Sequence, residues 1–255
     1  MQEVQMRALF VLFLIIQSYI WPIIKELPSF AELEQYIHNE TLVVFDLDNT
    51  LIRPKQMLGS DEWFWYYLNK KTDEYNDKQR ALKEVLPLWQ DIQASSSMQC
   101  LEPCTKHVVE ALQKKGIPVM VLTTREYDFA NVSVQQLCSL ELDFSKTAPV
   151  KGFVKLHKIP IVQYEDGILF ADNHHKGEAL LHFLQQHSLQ PKRVIFIDDK
   201  HTRVEEPNVL ESIGIEYLGL RYTAADKYVR EFDPKVTEEQ FQSFIKQEKI
   251  GSKAA

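Results

Sequence analysis

The stretch Val43 to Thr50 (VVFDLDNT) constrains this chain more than any other, because an apolar run stops abruptly at two carboxylates one residue apart. Leu42, Val43, Val44 and Phe45 show no polar alternation and are largely β-branched or aromatic, which reads as a strand buried on both faces. Asp46 and Asp48 then stand at its carboxyl end. In an open α/β sheet that end borders the crevice where ligands bind. An Asp-Asn turn after a strand requires neither a second acid nor the Thr50 that follows.

Later segments repeat this form. Pro118 to Leu122 is a second buried strand and stops at Thr123-Thr124-Arg125; Val194 to Ile197 is a third and stops at Asp198-Asp199; Ile215 to Leu220 supplies a fourth. Helical patterns alternate with them: Thr105 to Lys115, closed by Gly116 as a left-handed C-cap, Tyr127 to about Leu140, Glu178 to His187, and residues near Val209 to Ile213 before Gly214. Ile161 to Phe170 reads as a hairpin turning at Asp166-Gly167. Strand and helix in alternation predict an α/β fold, a three-layer Rossmann-like parallel sheet with helices on both faces.

Between the first two strands lies an insertion, about residues 53–103, predicted to form a small helical cap over the ligand end of the sheet. Arg53-Pro54 turns the chain, Ser60 caps a helix beginning WFWYYL, and Leu82, Val85, Leu86 and Trp89 mark a second helix, broken near Pro87. The aromatic cluster Trp63 to Tyr67 suits either the core of that subdomain or a wall facing substrate. Cys100 and Cys104 are close enough in sequence to pair, or form with Cys138 a set of half-buried thiols. Zinc is not indicated, since no second Cys/His pair lies at finger spacing. Ahead of the first strand, Ser29 to Asn39 forms a short amphipathic helix with Ser29 as N-cap.

The first 24 residues differ from the rest. Ala8 to Ile16 (ALFVLFLII) is an unbroken apolar run preceded by Arg7, the form of a secretory signal, and Met6 would make a better start than Met1. Cleavage, retention as a membrane anchor and a buried N-terminal helix are the competing outcomes. The first two place the protein outside the inner membrane, periplasmic or secreted, with membrane contact only through this segment; without a signal it is cytoplasmic. With 29 basic against 36 acidic residues the chain carries a net charge of −7, which argues against a nucleic-acid partner. Its 255 residues suffice for one core domain, 29–235, with the insertion, followed by a C-terminal helix over 236–255 and a frayed tail from Ile250.

The order of these features, Asp46-x-Asp48-x-Thr50 after a strand, hydrophobics then Thr123, Lys176 before a helix, and hydrophobics then Asp198-Asp199, resembles the haloacid dehalogenase superfamily, phosphatase branch. The resemblance covers roughly residues 40 to 225. The phrases VLTTRE, ILFADNHHKGEAL and VIFIDDK further resemble an uncharacterised bacterial branch, often with export signals. It implies a Mg2+-dependent phosphomonoester hydrolase acting on a small phosphorylated substrate through an aspartyl-phosphate.

Elementary chemistry assigns the roles in the same way. An ionised carboxylate can attack phosphorus directly, so Asp46 is the expected nucleophile; the basic leaving oxygen needs a proton, which Asp48 is placed to give. The resemblance implies Mg2+ bound by Asp46, the Asp48 backbone carbonyl and the Asp198-Asp199 pair, with Asp199 the direct ligand and Asp198 supporting it. Thr123 would hydrogen-bond the phosphate, with Thr124 as its rival, and Lys176 would neutralise charge shared by phosphate and Asp46. Arg125 would meet a second substrate group or make a surface ion pair. His174 and His175 fit no motif and read as solvated loop residues. The same site could run as a phosphotransferase or mutase, or the fold could serve as a non-catalytic binding module; Asp48 argues against a dehalogenase.

Overall fold

The computed structural model describes residues 23–254, with side chains through Lys246. In chain order the first half contains β1 (Ile23–Leu27), a 3-10 turn (Phe30–Tyr36), β2 (Thr41–Phe45), β3 (Ile52–Pro54), α1 (Asp61–Tyr75), α2 (Lys78–Ser95), β4 (Met98–Cys100), α3 (Thr105–Lys114) and β5 (Val119–Thr123). Then come α4 (Ala130–Ser139), β6 (Phe153–Lys155), β7 (Gln163–Glu165), β8 (Ile168–Phe170), α5 (Lys176–Gln186) and β9 (Arg193–Asp198). The chain closes with α6 (His201–Glu205), a 3-10 segment (Glu206–Ile213), β10 (Glu216–Tyr222), α7 (Asp226–Glu231) and α8 (Pro234–Ala254).

One 8-stranded sheet in the order β1-β10-β9-β2-β5-β8-β7-β6 forms the middle layer. Every pairing from β1 across to β8 is parallel, and only β8-β7 and β7-β6 are antiparallel. The β7–β8 hairpin turns at Asp166-Gly167, where both residues have positive φ. Successive residues of β2 point to opposite faces. Val43 and Phe45 pack with Phe30, Leu33, Leu112 and Leu137 on one side, while Leu42 and Val44 pack with Ala179, Leu180 and Phe183 on the other. Two apolar layers of this kind explain why the central strands carry no polar alternation, and they make the fold a three-layer α/β sandwich of Rossmann-like form.

Several local features differ from expectation. Ile23 and Ile24, assigned to the N-terminal segment, instead open β1 and pair with Leu218 and Gly219 of β10; the rest of that segment lies outside the described residues. Ser29 does cap a short helix, through its side chain and Ala31 N, but the helix is 3-10 and ends at Tyr36. Pro87 does not break α2, which runs unbroken through it because Ala81, Val85, Trp89 and Ile92 bury one continuous stripe. Helix α5 starts at Lys176, two residues before the expected Glu178, and α8 starts at Pro234 and stays helical to Ala254, past the expected fraying at Ile250. Cys100 and Cys104 are free, half-buried thiols, and Cys138 is free and exposed.

Helices α1 and α2 form an antiparallel hairpin between the short antiparallel strands β3 and β4. Ser60 caps α1 by accepting from Trp63 N, and Asp77 caps α2. The aromatic run divides between two environments. Trp63 is buried, stacked on Tyr67 and set against Phe241 of α8, whereas Trp65 is 42% exposed. Gln240 of α8 also accepts from Leu58 N at 2.8 Å, so the last helix buttresses the hairpin.

Candidate active site

The ends of β2 and β9 and the start of α5 bring acids and a base to a single edge of the sheet. Asp46 follows β2, and its amide donates to Ile197 O of β9 at 2.8 Å, which places it beside Asp198 at the end of that strand. Lys176 enters from the first turn of α5, which is docked by its own amide on the Glu206 carboxylate at 2.5 Å. Gly177 permits that close approach, since a Cβ there would lie 2.0 Å from Glu206 O. His175 caps the same helix, its Nδ1 accepting from Glu178 N at 3.3 Å, so one of the two loop histidines has a structural task.

Lys176 Nζ donates to Asp46 Oδ1 at 2.5 Å and to Asp198 Oδ2 at 2.6 Å, and all three residues are buried. The second oxygen of Asp46 accepts from Thr50 Oγ1 at 3.1 Å, and the second of Asp198 from Lys200 N at 2.9 Å. Asp199 differs: among the described residues no donor reaches its carboxylate. Burial, with Asp198 and Asp48 beside it and Lys176 only partly offsetting them, pushes the Asp46 carboxyl up to about 7. Burial and the neighbouring Asp198 and Asp46 also raise Asp199 well above the usual carboxylate range. For Lys176, burial acts to lower the ammonium, but Asp198 and Asp46 outweigh it and hold the group above its ordinary value.

Asp46, Asp198 and Asp199 each present an oxygen within 4.8 Å of the others. An oxygen-only set carrying more negative charge than one lysine offsets, with one carboxylate lacking any donor, fits a hard divalent cation such as Mg2+. Both oxygens of Asp46 and of Asp198 are engaged, whereas those of Asp199 accept from no donor among the described residues.

Asp48 is held separately. Arg125 donates to it through both Nε (2.8 Å) and Nη2 (2.7 Å), a bidentate pair. The remaining guanidinium protons go to Ser133 Oγ, Gln136 Oε1 and Gln93 Oε1 at 2.9, 2.8 and 3.3 Å. All five N–H donors of Arg125 are therefore used within the protein. The side chain is buried between Trp89 and Phe129 at the border of the cleft, and its ion pair is with Asp48 inside the protein, not the surface pair that its sequence position suggested. Thr123 is likewise buried, its hydroxyl accepting from Arg125 N at 3.2 Å, and it is Thr124 that borders the open space.

That space is a cleft of about 320 Å³ between the strand ends and the α1–α2 hairpin, reaching from Asp46, Lys176 and Asp199 to Trp65 and Leu82. Polar contacts that tie the hairpin to the sheet domain include Asp61 with Lys200 (2.9 Å), Glu62 accepting from Asn49 Nδ2 (2.7 Å), Gln90 with Glu126 (3.3 Å) and Gln93 with Arg125 and Gln136. Sequence reading missed Asp61, Lys200, Gln93 and Gln136. Lys200 directly follows the acidic pair and was within reach of the motif; the two glutamines sit in ordinary amphipathic helices and carry no local signal.

Solved structures with partial likeness include a haloacid dehalogenase-like hydrolase of Streptococcus pneumoniae, 16% identical, with a TM-score of 0.43 over 70% of this chain and 93% of that one. Among sequence relatives, a Chlamydia pneumoniae protein named "Putative outer membrane protein" is 29% identical over 185 residues, 72% of this chain and 70% of the relative. A Chlamydia trachomatis protein of the same name is 25% identical over 262 residues, 98% of this chain and 96% of the relative. Residues 26–252, which include every side chain of the site described above, match the family described as "Protein of unknown function (DUF2608)", and the chain belongs to that family.

Proposed function

We propose that the protein is a divalent-metal-dependent phosphomonoester hydrolase that works through an aspartyl-phosphate on Asp46. The observation that carries this reading is the meeting of Asp46, Lys176, Asp198 and Asp199 at the carboxyl ends of β2 and β9, on the floor of a covered cleft. Fold by itself would not justify it.

In the first half-reaction the Asp46 carboxylate attacks phosphorus, the bond from phosphorus to the ester oxygen breaks, and the leaving alkoxide takes a proton. Asp48, two residues along the same loop and bordering the cleft, gives it from a protonated form, in which one of the two oxygens that accept from Arg125 carries the proton instead. Arg125 acts as a positioning residue by fixing the plane of that carboxylate. In the second half-reaction water attacks the phosphoryl group with Asp48 accepting its proton, which frees inorganic phosphate and restores Asp46. Lys176 offsets the charge that Asp46 and the phosphoryl oxygens share, and Thr123 and Thr124 mark the strand end where those oxygens would sit. A Mg2+ ion held by Asp46, the Asp48 carbonyl and Asp199, with Asp198 behind, would supply further neutralisation of phosphoryl charge.

Release of p-nitrophenol from p-nitrophenyl phosphate should require Mg2+ and fall at least ~1,000-fold in Asp46→Asn, the scale of losing a covalent nucleophile. Undiminished turnover in that variant would sink the assignment. The apolar run Ala8 to Ile16 behind Arg7, together with the name borne by the chlamydial relatives, supports export beyond the inner membrane. Cell fractionation that recovers the protein from cytosol alone would overturn that placement.

A further inference from the structure

The walls of the cleft are chemically unlike its floor. From α1 the face carrying Asp61, Phe64, Trp65 and Leu68 borders it, and from α2 the face carrying Lys78, Leu82, Leu86 and Trp89; Phe129 closes the side. These positions recur three or four residues apart, so each helix turns one stripe toward the open space. Part of that stripe is not consumed by the core. Trp65 is 42% exposed, and Phe64, Leu82 and Leu86 are only partly buried. The sequence left open whether the aromatic run was core or wall; Trp63 has gone to the core and Trp65 to the wall.

Polar groups on the hairpin side are few, and most are engaged. Asp61 is paired with Lys200, and Gln90 with Glu126, which leaves Lys78 at the far margin. Thr124, Asn173 and Arg203 border the cleft from the sheet domain, but a sugar or polyol lying against the hairpin wall would bury hydroxyls there without partners, a cost that polar substrates meet only where matching donors and acceptors are built in. An aryl or short apolar group meets no such cost. Lys200 extends over the Trp65 ring, 5.5 Å from its centroid, and links the apolar wall to the charged floor. The volume, about 320 Å³, lies at the small end of ligand sites, which run from about 300 to 1,000 Å³.

We infer that the site takes small phosphomonoesters of aromatic or short apolar alcohols, phosphate toward Asp46 and Lys176, alcohol portion against Phe64, Trp65, Leu82, Leu86 and Trp89. The inference rests on the hydrolase reading above and narrows it from a reaction to a substrate class. The comparison that tests it is benzyl phosphate against ribose 5-phosphate with Mg2+ present, since both leave as primary alcohols and differ mainly in what the cleft must accommodate. Benzyl phosphate should show a kcat/KM roughly 10- to 100-fold higher, the factor expected from burying a phenyl-sized apolar group. In Trp65→Ala and Leu82→Gln that ratio should fall severalfold toward unity. Binding of benzylphosphonate, which cannot be hydrolysed, should quench tryptophan fluorescence in the wild type and do so more weakly in Trp65→Ala.

Equal or better use of ribose 5-phosphate, with both esters turned over, would overturn the substrate class and leave the hydrolase reading standing. Turnover of neither ester with Mg2+ present would overturn the hydrolase reading and this inference with it. A preference for benzyl phosphate that both wall variants leave intact would also overturn it, because the selectivity would then arise elsewhere.

Discussion

Asp46 and Asp199 define the chemistry of the site at the scale of single residues. Both carboxyls are raised, by burial first and then by the acids beside them. The folded state therefore favours their protonated forms: the contribution of Asp46 to stability is present at low pH and is lost as pH rises from about 4 through about 7, and that of Asp199 is lost in the same direction. A divalent cation reverses the balance, because it binds only the ionised acids and competes with protons for them. Mg2+ should thus raise the melting temperature at pH 8, and the rise should shrink steadily as the pH is lowered to 5. Thermal scans over that range check this; a shift equally large at pH 5 and pH 8 would mean that the three carboxylates are not the binding groups. Arg125 shows how far a role can move once a residue has neighbours. Its place after a strand-end Thr pair suggested a reach toward ligand, yet burial beside Asp48, Gln93, Ser133 and Gln136 commits every donor it has.

Among the elements, the α1–α2 hairpin and α8 carry the least predictable part of the structure. Pro87 costs α2 a backbone hydrogen bond, but the helix continues because its apolar stripe on both sides of the proline is buried against α1 and the sheet domain. Helix α8 is far from the hairpin in sequence and reaches it only in the folded chain, through Phe241 on Trp63 and Gln240 on Leu58 N. Deleting residues 234–255 removes the partly buried Phe241 and Phe244 from that cluster and should cost about 3 kcal/mol or more. The measurable signs are a lower midpoint in urea and a red-shifted tryptophan emission as Trp63 meets water. An unchanged midpoint would show that the hairpin stands without its buttress.

For the whole molecule, the line between what the sequence by itself determined and what the tertiary structure decided follows the range of the physics involved. Strand and helix periodicity, caps such as Ser60 and turn glycines such as Gly116 act over a few residues. They were enough to give the α/β alternation, the sheet's core strands and the acids at their ends. Apolar runs that must be buried on both faces leave a parallel sandwich as the natural outcome, and its strand ends collect Asp46, Thr123 and Asp198 whatever the details elsewhere. Contacts between residues far apart in the chain were not legible in this way. The pairing of β1 with β10, the Gln93–Arg125–Asp48 network and the division of the aromatic run between core and cleft each depend on which surfaces meet in three dimensions. Packing chooses among such partners by shape and by satisfaction of buried polar groups, quantities with no period along the chain, and so only the folded molecule could place them.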